Sequence, residues 1–216
     1  MKKHTQDVHI NAGGVILHGS LTLLDESSNL VVFAQGSGSG RFSPRNKYVA
    51  DALNATGFST LLIDLLTPGE RNVIRNRDQQ SKLEWLYARL NQVTDWVSTH
   101  KETSGCHLAL LGSNTGAVAA LKIAAEQPQN ISAVVSWSGR PEIILDQLSN
   151  ITAKVLLIAG ANDETYVTSN RNAAEHFRSQ CYIEIIPDAG HDLKEPGKIN
   201  TLADLCCDWL QKHMPV

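Results

Sequence analysis

The sequence has no excess of basic charge and no Cys-x-x-Cys pair. Its 216 residues include 19 lysines and arginines against 22 aspartates and glutamates, a formal net charge of -3 at pH 7. A chain with this balance presents no basic field to nucleic acid, so no nucleic-acid partner is expected. The four cysteines form no Cys-x-x-Cys motif and no dense loop framework. This usage predicts reduced thiols in a cytoplasmic protein.

Long apolar runs, repeats and linkers are also missing. The longest apolar segment, residues 107–125, is interrupted by glycines, polar side chains and Lys122, so no membrane span is expected. The basic start of the chain is not followed by an apolar stretch, which argues against a secretory signal. Residues 1–216 are therefore predicted to form a single domain without a large lid.

Short apolar runs alternate with helical patterns, which is typical of a mainly parallel sheet flanked by helices. The inner runs are continuous Val, Ile and Leu, as expected for strands covered on both faces. Two early runs joined across Gly13 and Gly14 predict an N-terminal antiparallel hairpin. The eight predicted strands cover residues 8–11, 15–24, 30–34, 60–65, 107–111, 133–137, 155–159 and 182–186.

Local signals predict where three of the helices begin. Ser81, followed three residues later by Glu84, resembles a capping box. Pro196 fits the first turn of the last helix, and another helix is predicted to begin near Pro44.

The turn after the run at 107–111 has the pattern of a catalytic motif with its central residue changed. In Gly-x-Ser-x-Gly, the middle residue lies on a strained strand-to-helix turn with its side chain above the sheet. Here Gly112 and Gly116 frame Asn114, a residue that tolerates positive φ but cannot be activated as a hydroxyl can. Ser113 lies one position early and should face the interior. Two glycines alone also fit a plain tight turn.

Further segments share a pattern with one enzyme family: residues 33–39, 43–46, 61–68, 160–164 and 189–191. Together with the turn at Asn114, they make the chain resemble a compact α/β-hydrolase of the dienelactone-hydrolase-like group over nearly its whole length. The resemblance implies the α/β-hydrolase fold, with helices on both faces of a mainly parallel eight-stranded sheet. It also implies a carboxylic-ester or lactone hydrolase ancestry.

The resemblance assigns catalytic positions to Asn114, Asp163 and His191, in the family order of nucleophile, acid and histidine. Asp163 would orient His191, whose other ring nitrogen would take a proton from a nucleophile or from water. The backbone N–H groups of Ser37 and Thr115 would form the oxyanion hole. Taken alone, Asp163 also fits a helix cap, and His191 fits a solvated loop residue.

Gln35 is a second departure from the family, since similar proteins carry histidine before the following glycine. Its amide is expected to brace the oxyanion loop in part. Residues 36–40 also fit a phosphate cradle, because they follow a strand and precede a helix. Arg41 stands where a dinucleotide fingerprint needs its third glycine, and no Gly-Lys-Ser/Thr follows, which disfavours nucleotide binding. No cofactor is predicted.

Candidate substrate contacts are few. Arg41, Arg45 and Arg140 follow strand ends and are candidate anion contacts, although surface solvation is the commoner role of such residues. Trp137 is a candidate pocket residue, with a core position as the alternative. The other seven histidines form no close ligand pair, so no metal is predicted.

Three hypotheses remain open for the function. The first is a hydrolase homologue whose nucleophile is replaced, leaving weak ester hydrolysis of about 10³–10⁴-fold over water or none. The second is a binding or regulatory module for a small acidic or ester-like molecule. The third is conversion of Asn114 to aspartate, which would supply a carboxylate nucleophile. All three predict a small-molecule substrate or ligand and leave the oligomeric state open.

Overall fold

The chain forms an eight-stranded sheet with helices on both faces, described by a computed structural model for residues 2–36 and 38–215. The strands are β1 Lys3–Ala12, β2 Val15–Leu24, β3 Asn29–Ala34, β4 Ser59–Ile63, β5 His107–Ser113, β6 Ile131–Trp137, β7 Lys154–Gly160 and β8 Cys181–Ile186. The helices are α1 Pro44–Ala55, α2 Pro68–Ile74, α3 Gln79–Thr99, α4 Thr115–Glu126, α5 Glu164–Ala174 and α6 Lys198–His213. A 3-10 segment covers Pro141–Asn150.

The strand order is β1-β2-β4-β3-β5-β6-β7-β8. Strand β2 is antiparallel to both β1 and β4, whereas every pairing from β4 through β8 is parallel. The predicted hairpin is confirmed, and the φ values of 62° at Gly13 and 91° at Gly14 explain why glycine occupies its turn. The mainly parallel, eight-stranded sheet is confirmed as well.

Two apolar layers hold the helices against the sheet. Helices α1 and α6 cover one face, where Leu53 and Leu202 are fully buried. Helices α3 and α4 and the 3-10 segment cover the other face, with Leu90, Leu121 and Leu148 fully buried. Burial on both faces explains why the inner strands are continuous apolar runs.

Two of the predicted helix starts are wrong. Helix α3 begins at Gln79, because the Asp78 carboxylate accepts a hydrogen bond from the Ser81 N–H at 2.8 Å and caps the helix three residues earlier than expected. A capping box does form, but in α2, between Thr67 and Glu70. Pro196 lies before α6, whose N-cap is Gly197 with φ 80°. The helix predicted near Pro44 is confirmed as α1.

The carboxyl ends of β5, β7 and β8 point to one edge of the sheet. The loops that follow carry Asn114, Asp163 and His191, so the topology alone brings the three predicted site residues together. The longest connection within the described ranges, residues 187–197, is too short for a large lid. No helix in the described part of the chain is long and apolar enough to cross a membrane. All four cysteines are free.

Candidate active site

The strand-to-helix turn at Asn114 is strained in the way its motif predicts. Asn114 has φ 53° and ψ -127° between β5 and α4, a conformation that costs a non-glycine residue about 1–3 kcal/mol. Its N–H donates to the carbonyl of Trp137 at 3.1 Å, which holds the turn against β6. Ser113 is buried, as expected, and Asn114 is half-buried at the sheet edge.

The two framing glycines serve close packing, since neither has a positive φ. A Cβ on Gly112 would lie 2.4 Å from the Cα of Ala117, and one on Gly116 would lie 2.2 Å from the carbonyl oxygen of Ala34. Helix α4 therefore starts directly against strands β3 and β5. The positive φ of the turn falls on Asn114, between the two glycines.

His191 joins the other two predicted catalytic positions by hydrogen bonds. Its Nδ1 lies 2.8 Å from Oδ2 of Asp163, and its Nε2 lies 2.5 Å from Oδ1 of Asn114. The Asp163 side chain is 18% exposed and that of His191 is 34% exposed. Although Asp163 occupies the N-cap position of α5, its side chain makes no capping hydrogen bond. The carboxylate is therefore committed to His191.

The hydrogen bonds restrict the protonation of the ring. An ionised carboxylate only accepts, so Nδ1 of His191 carries a hydrogen toward Asp163. The Asn114 atom beside Nε2 is the amide oxygen Oδ1, which only accepts, so Nε2 donates to it.

The histidine loop is fastened to the ends of neighbouring strands. The Ser138 hydroxyl donates to the carbonyl of His191 at 2.7 Å, and the Asn162 N–H donates to the carbonyl of Ala189 at 2.9 Å. A Cβ on Gly160 would lie 2.3 Å from the same Ala189 oxygen. These contacts fix His191 relative to Asp163 before any ligand arrives.

One of the two predicted oxyanion donors can be described. The N–H of Thr115 opens α4 beside Asn114 and has no hydrogen-bond acceptor in residues 2–36 and 38–215. A free N–H at a helix start is suited to a developing negative charge. Ser37, the other predicted donor, lies outside the described residues.

The loop that continues from residue 38 is held by an ion-pair network. Asp64 accepts from the Arg41 N–H at 3.0 Å and from Arg71 at 2.7 Å, and Arg71 also donates to the Ser39 carbonyl at 2.5 Å. Arg41, predicted as a substrate contact, thus lies in this network away from Asn114. Its guanidinium also pairs with Asp7 at 3.3 Å.

Gln35 does not brace this loop as expected. Its side chain is 4% exposed, and neither amide atom has a hydrogen-bond partner among the residues described. Burial without a hydrogen-bond partner leaves the amide no bracing contact with the described part of the loop.

The remaining predicted substrate contacts occupy different surroundings. Arg140 is near Asn114 but donates to Glu142 at 2.6 Å, so its charge is paired. Trp137 is 4% exposed in the core and does not line the cleft. The Arg45 guanidinium lies 5.5 Å above the Trp137 ring and donates to the carbonyl of Asp192.

Two cavities adjoin Asn114. A cleft of about 450 Å³ contains His191 and Asp192 together with Arg45 and Lys82. A pocket of about 40 Å³ lies beside Asn114 and Thr115. No group of three or more potential metal-binding side chains occurs within residues 2–36 and 38–215.

Sequence reasoning missed Tyr166, which lies beside the catalytic positions. Tyr166 lines both cavities, and its ring packs edge-on against His191 with 4.5 Å between centroids. Burial raises the pKa of its phenol, so the hydroxyl is protonated at neutral pH. The available signal was helical spacing, since Tyr166 follows Asp163 by three residues at the start of α5.

Comparison with known proteins points to one family. A sequence model described as "Alpha/beta hydrolase domain" matches residues 27–210. A protein of Mycobacterium tuberculosis strain H37Rv, provisionally named a phosphoribosyl transferase, is 41% identical over 209 residues. The match takes in 97% of this chain and 46% of that protein, so the chain spans about half the length of the curated relatives it matches.

Solved structures show the same architecture. The crystal structure of a dienelactone hydrolase from Anabaena variabilis is 36% identical and covers 100% of both chains with a TM-score of 0.94. Est1E from Butyrivibrio proteoclasticus has a TM-score of 0.80 over 96% of this chain and 98% of its own, at 15% identity. At that identity the likeness of Est1E shows the fold alone.

Proposed function

Because this chain belongs to the alpha/beta hydrolase domain family, we propose that it is an ester-hydrolase scaffold in which Asn114 occupies the position of the nucleophile. The observation that carries the proposal is the place of His191, 2.8 Å from Asp163 and 2.5 Å from Asn114. The similarity to a dienelactone hydrolase supports carboxylic esters or lactones as the substrate class.

The chemistry follows from the contacts of each group. A serine at position 114 would give its proton to Nε2 of His191 and attack the ester carbonyl, while the Thr115 N–H stabilised the oxyanion. His191 would then return the proton to the departing alkoxide. A carboxamide has no such proton-activated oxygen, so no acyl-enzyme forms. What remains is weak hydrolysis by water that His191 activates.

A second candidate function is binding without turnover. The Asn114 side chain is already hydrogen-bonded to His191, so the site is preorganised without any covalent step. The cleft of about 450 Å³ has room for a small molecule. A thermal-shift screen with short carboxylic acids and their esters tests this candidate, and the absence of any shift would exclude it.

The transferase name of the mycobacterial relatives does not transfer readily to this chain. About half of each relative lies outside the match. The side chains that meet at the sheet edge here are, in chain order, an asparagine, an aspartate and a histidine, at the positions of nucleophile, acid and histidine in a hydrolase triad.

The test of the proposed function is restoration of the nucleophile. Asn114→Ser and the unaltered chain are assayed side by side on 4-nitrophenyl acetate, after the mass of the peptide spanning position 114 has been checked. Asn114→Ser is expected to raise kcat/KM by at least about 10³-fold. Comparable activity in the unaltered chain would contradict the proposal, and its peptide mass would show whether Asn114 had become aspartate.

A further inference from the structure

The two cavities beside Asn114 differ in size and in the catalytic groups they contain. The cleft of about 450 Å³ is lined by His191, Asn114 and Thr115. The pocket of about 40 Å³ is lined by Asn114 and Thr115 but not by His191. Tyr166 lines both and packs against the His191 ring.

Proton transfer from His191 determines which cavity binds the alcohol part of an ester and which binds the acyl part. When the acyl-enzyme forms, the histidine gives its proton to the oxygen of the departing alcohol. The alcohol part of the ester must therefore lie beside Nε2 of His191. Only the large cleft contains His191. The acyl group, which extends from the carbonyl carbon away from the leaving oxygen, is directed toward the small pocket.

We propose that the small pocket is the acyl site and limits the substrate to short acyl groups, with a larger polar alcohol in the open cleft. The inference rests on the proposed ester-hydrolase function and specifies its substrate class. A water-sized group takes about 10–15 Å³ of such a cavity, so a pocket of about 40 Å³ accepts about three of them. Acetyl and propionyl groups fit this space, whereas hexanoyl and octanoyl groups exceed it.

Three of the side chains that line the pocket are held in place. Val118, on α4, is 1% exposed and cannot move outward without disturbing the core. Arg140 is held by Glu142 at 2.6 Å, and Glu142 also accepts a hydrogen bond from Ser169. Ile143, from the 3-10 segment, completes the apolar part of the lining and is packed against the core. A longer acyl chain therefore meets side chains that are already held in place.

The cleft on the other side has a polar rim. Arg45 and Lys82 line it, and within the described ranges neither has a carboxylate within 4.0 Å. Two unpaired cations favour a polar alcohol over an aliphatic one.

The experiment measures kcat/KM of Asn114→Ser on 4-nitrophenyl acetate, butyrate, hexanoate and octanoate. The expected result is a fall of at least about tenfold from butyrate to hexanoate, with a further fall to octanoate. Adding Ile143→Ala removes three carbons from the wall and is expected to restore hexanoate hydrolysis to within about threefold of butyrate. Leu145→Ala is the matched control, because Leu145 belongs to the same 3-10 segment and packs against the core without lining the pocket.

The outcomes separate this inference from the proposed function. A kcat/KM of Asn114→Ser that is equal or higher on octanoate than on butyrate overturns the acyl-site assignment while supporting the hydrolase function. Loss of chain-length selectivity in Leu145→Ala as well as Ile143→Ala also overturns it. No activity of folded Asn114→Ser on any of the four esters overturns the proposed function, and the inference with it. If Ile143→Ala does not fold, Ile143→Val keeps most of the packing and is expected to shift the preference in the same direction.

Discussion

Substitution of Gly116 by alanine tests the close approach of α4 to β3. The added methyl carbon would lie 2.2 Å from the Ala34 oxygen and 2.7 Å from the carbonyl carbon of Gln35, against a practical minimum of 3.0 Å. Both neighbours are backbone atoms of the sheet edge, and Ala34 is fully buried beside Gly112 of β5. The helix start must therefore move by at least the missing 0.8 Å, which is 3.0 Å less 2.2 Å.

The expected loss of stability in Gly116→Ala is the difference between two opposing contributions. Overpacking against atoms that cannot yield costs about 3 kcal/mol or more, and the better helix propensity of alanine returns up to about 1 kcal/mol. A net loss of roughly 2–3 kcal/mol lowers Tm by roughly 5–10 °C in a protein of this size. Because the shift also moves the Thr115 N–H, the same change in an Asn114→Ser background should abolish most ester hydrolysis.

Differential scanning calorimetry of Gly116→Ala measures this loss, and Gly69→Ala is the control. Gly69 lies in α2, where an added methyl group meets nothing within 4 Å. That change should be neutral or stabilise the protein by up to about 1 kcal/mol. A Gly116→Ala protein that melts with the unaltered chain would refute the reasoning on close packing.

Three further substitutions test other parts of the account. Asp163→Asn in an Asn114→Ser background should lower kcat by about 10³–10⁴-fold, because the His191 ring loses its orientation, while the circular dichroism spectrum stays native. An unchanged kcat would show that Asp163 does not orient His191. Gln35→Met removes a buried amide without a described partner and should raise the free energy of unfolding by about 1 kcal/mol, seen as a higher Tm. A clear decrease in Tm would reveal a hydrogen bond at Gln35. The Tyr87 hydroxyl donates to Glu126, and this hydrogen bond, together with burial, raises the pKa of Tyr87 from 10.0 to about 12. The stability it contributes is present below pH 10 and is lost as the pH rises through about 12, so alkaline unfolding titrations should show this loss in the unaltered chain and not in Tyr87→Phe.

The fold was predictable because its signals are local. Burial on both faces demands continuous apolar strands, so runs such as residues 30–34 and 107–111 have few alternatives. The hairpin needs positive φ at its turn, and Gly13 and Gly14 supply it. Helix starts were harder, since Asp78, Ser81 and Thr67 are all good capping residues and only the path of the chain decides between them.

The candidate site was predictable in part. The position of Asn114 follows from the glycines on either side, whose need for close packing depends on the neighbouring strands. The role of Arg41 depends on Asp64 and Asp7, which are distant in sequence, so its ion pairs left no local signal. Tyr166 lies three residues after Asp163 at the start of α5. This spacing points to the site only when Asp163 is known to lie at the sheet edge.

The central claim is that residue 114 occupies the position of a catalytic nucleophile. The most direct test is covalent labelling of Asn114→Ser by a 4-nitrophenyl phosphonate with a short alkyl group, read by intact mass and peptide mapping. The account predicts one phosphonyl group per chain, attached at position 114, and none on the unaltered chain. Attachment at Ser113 or Ser39, or no attachment to a folded Asn114→Ser protein, would contradict it.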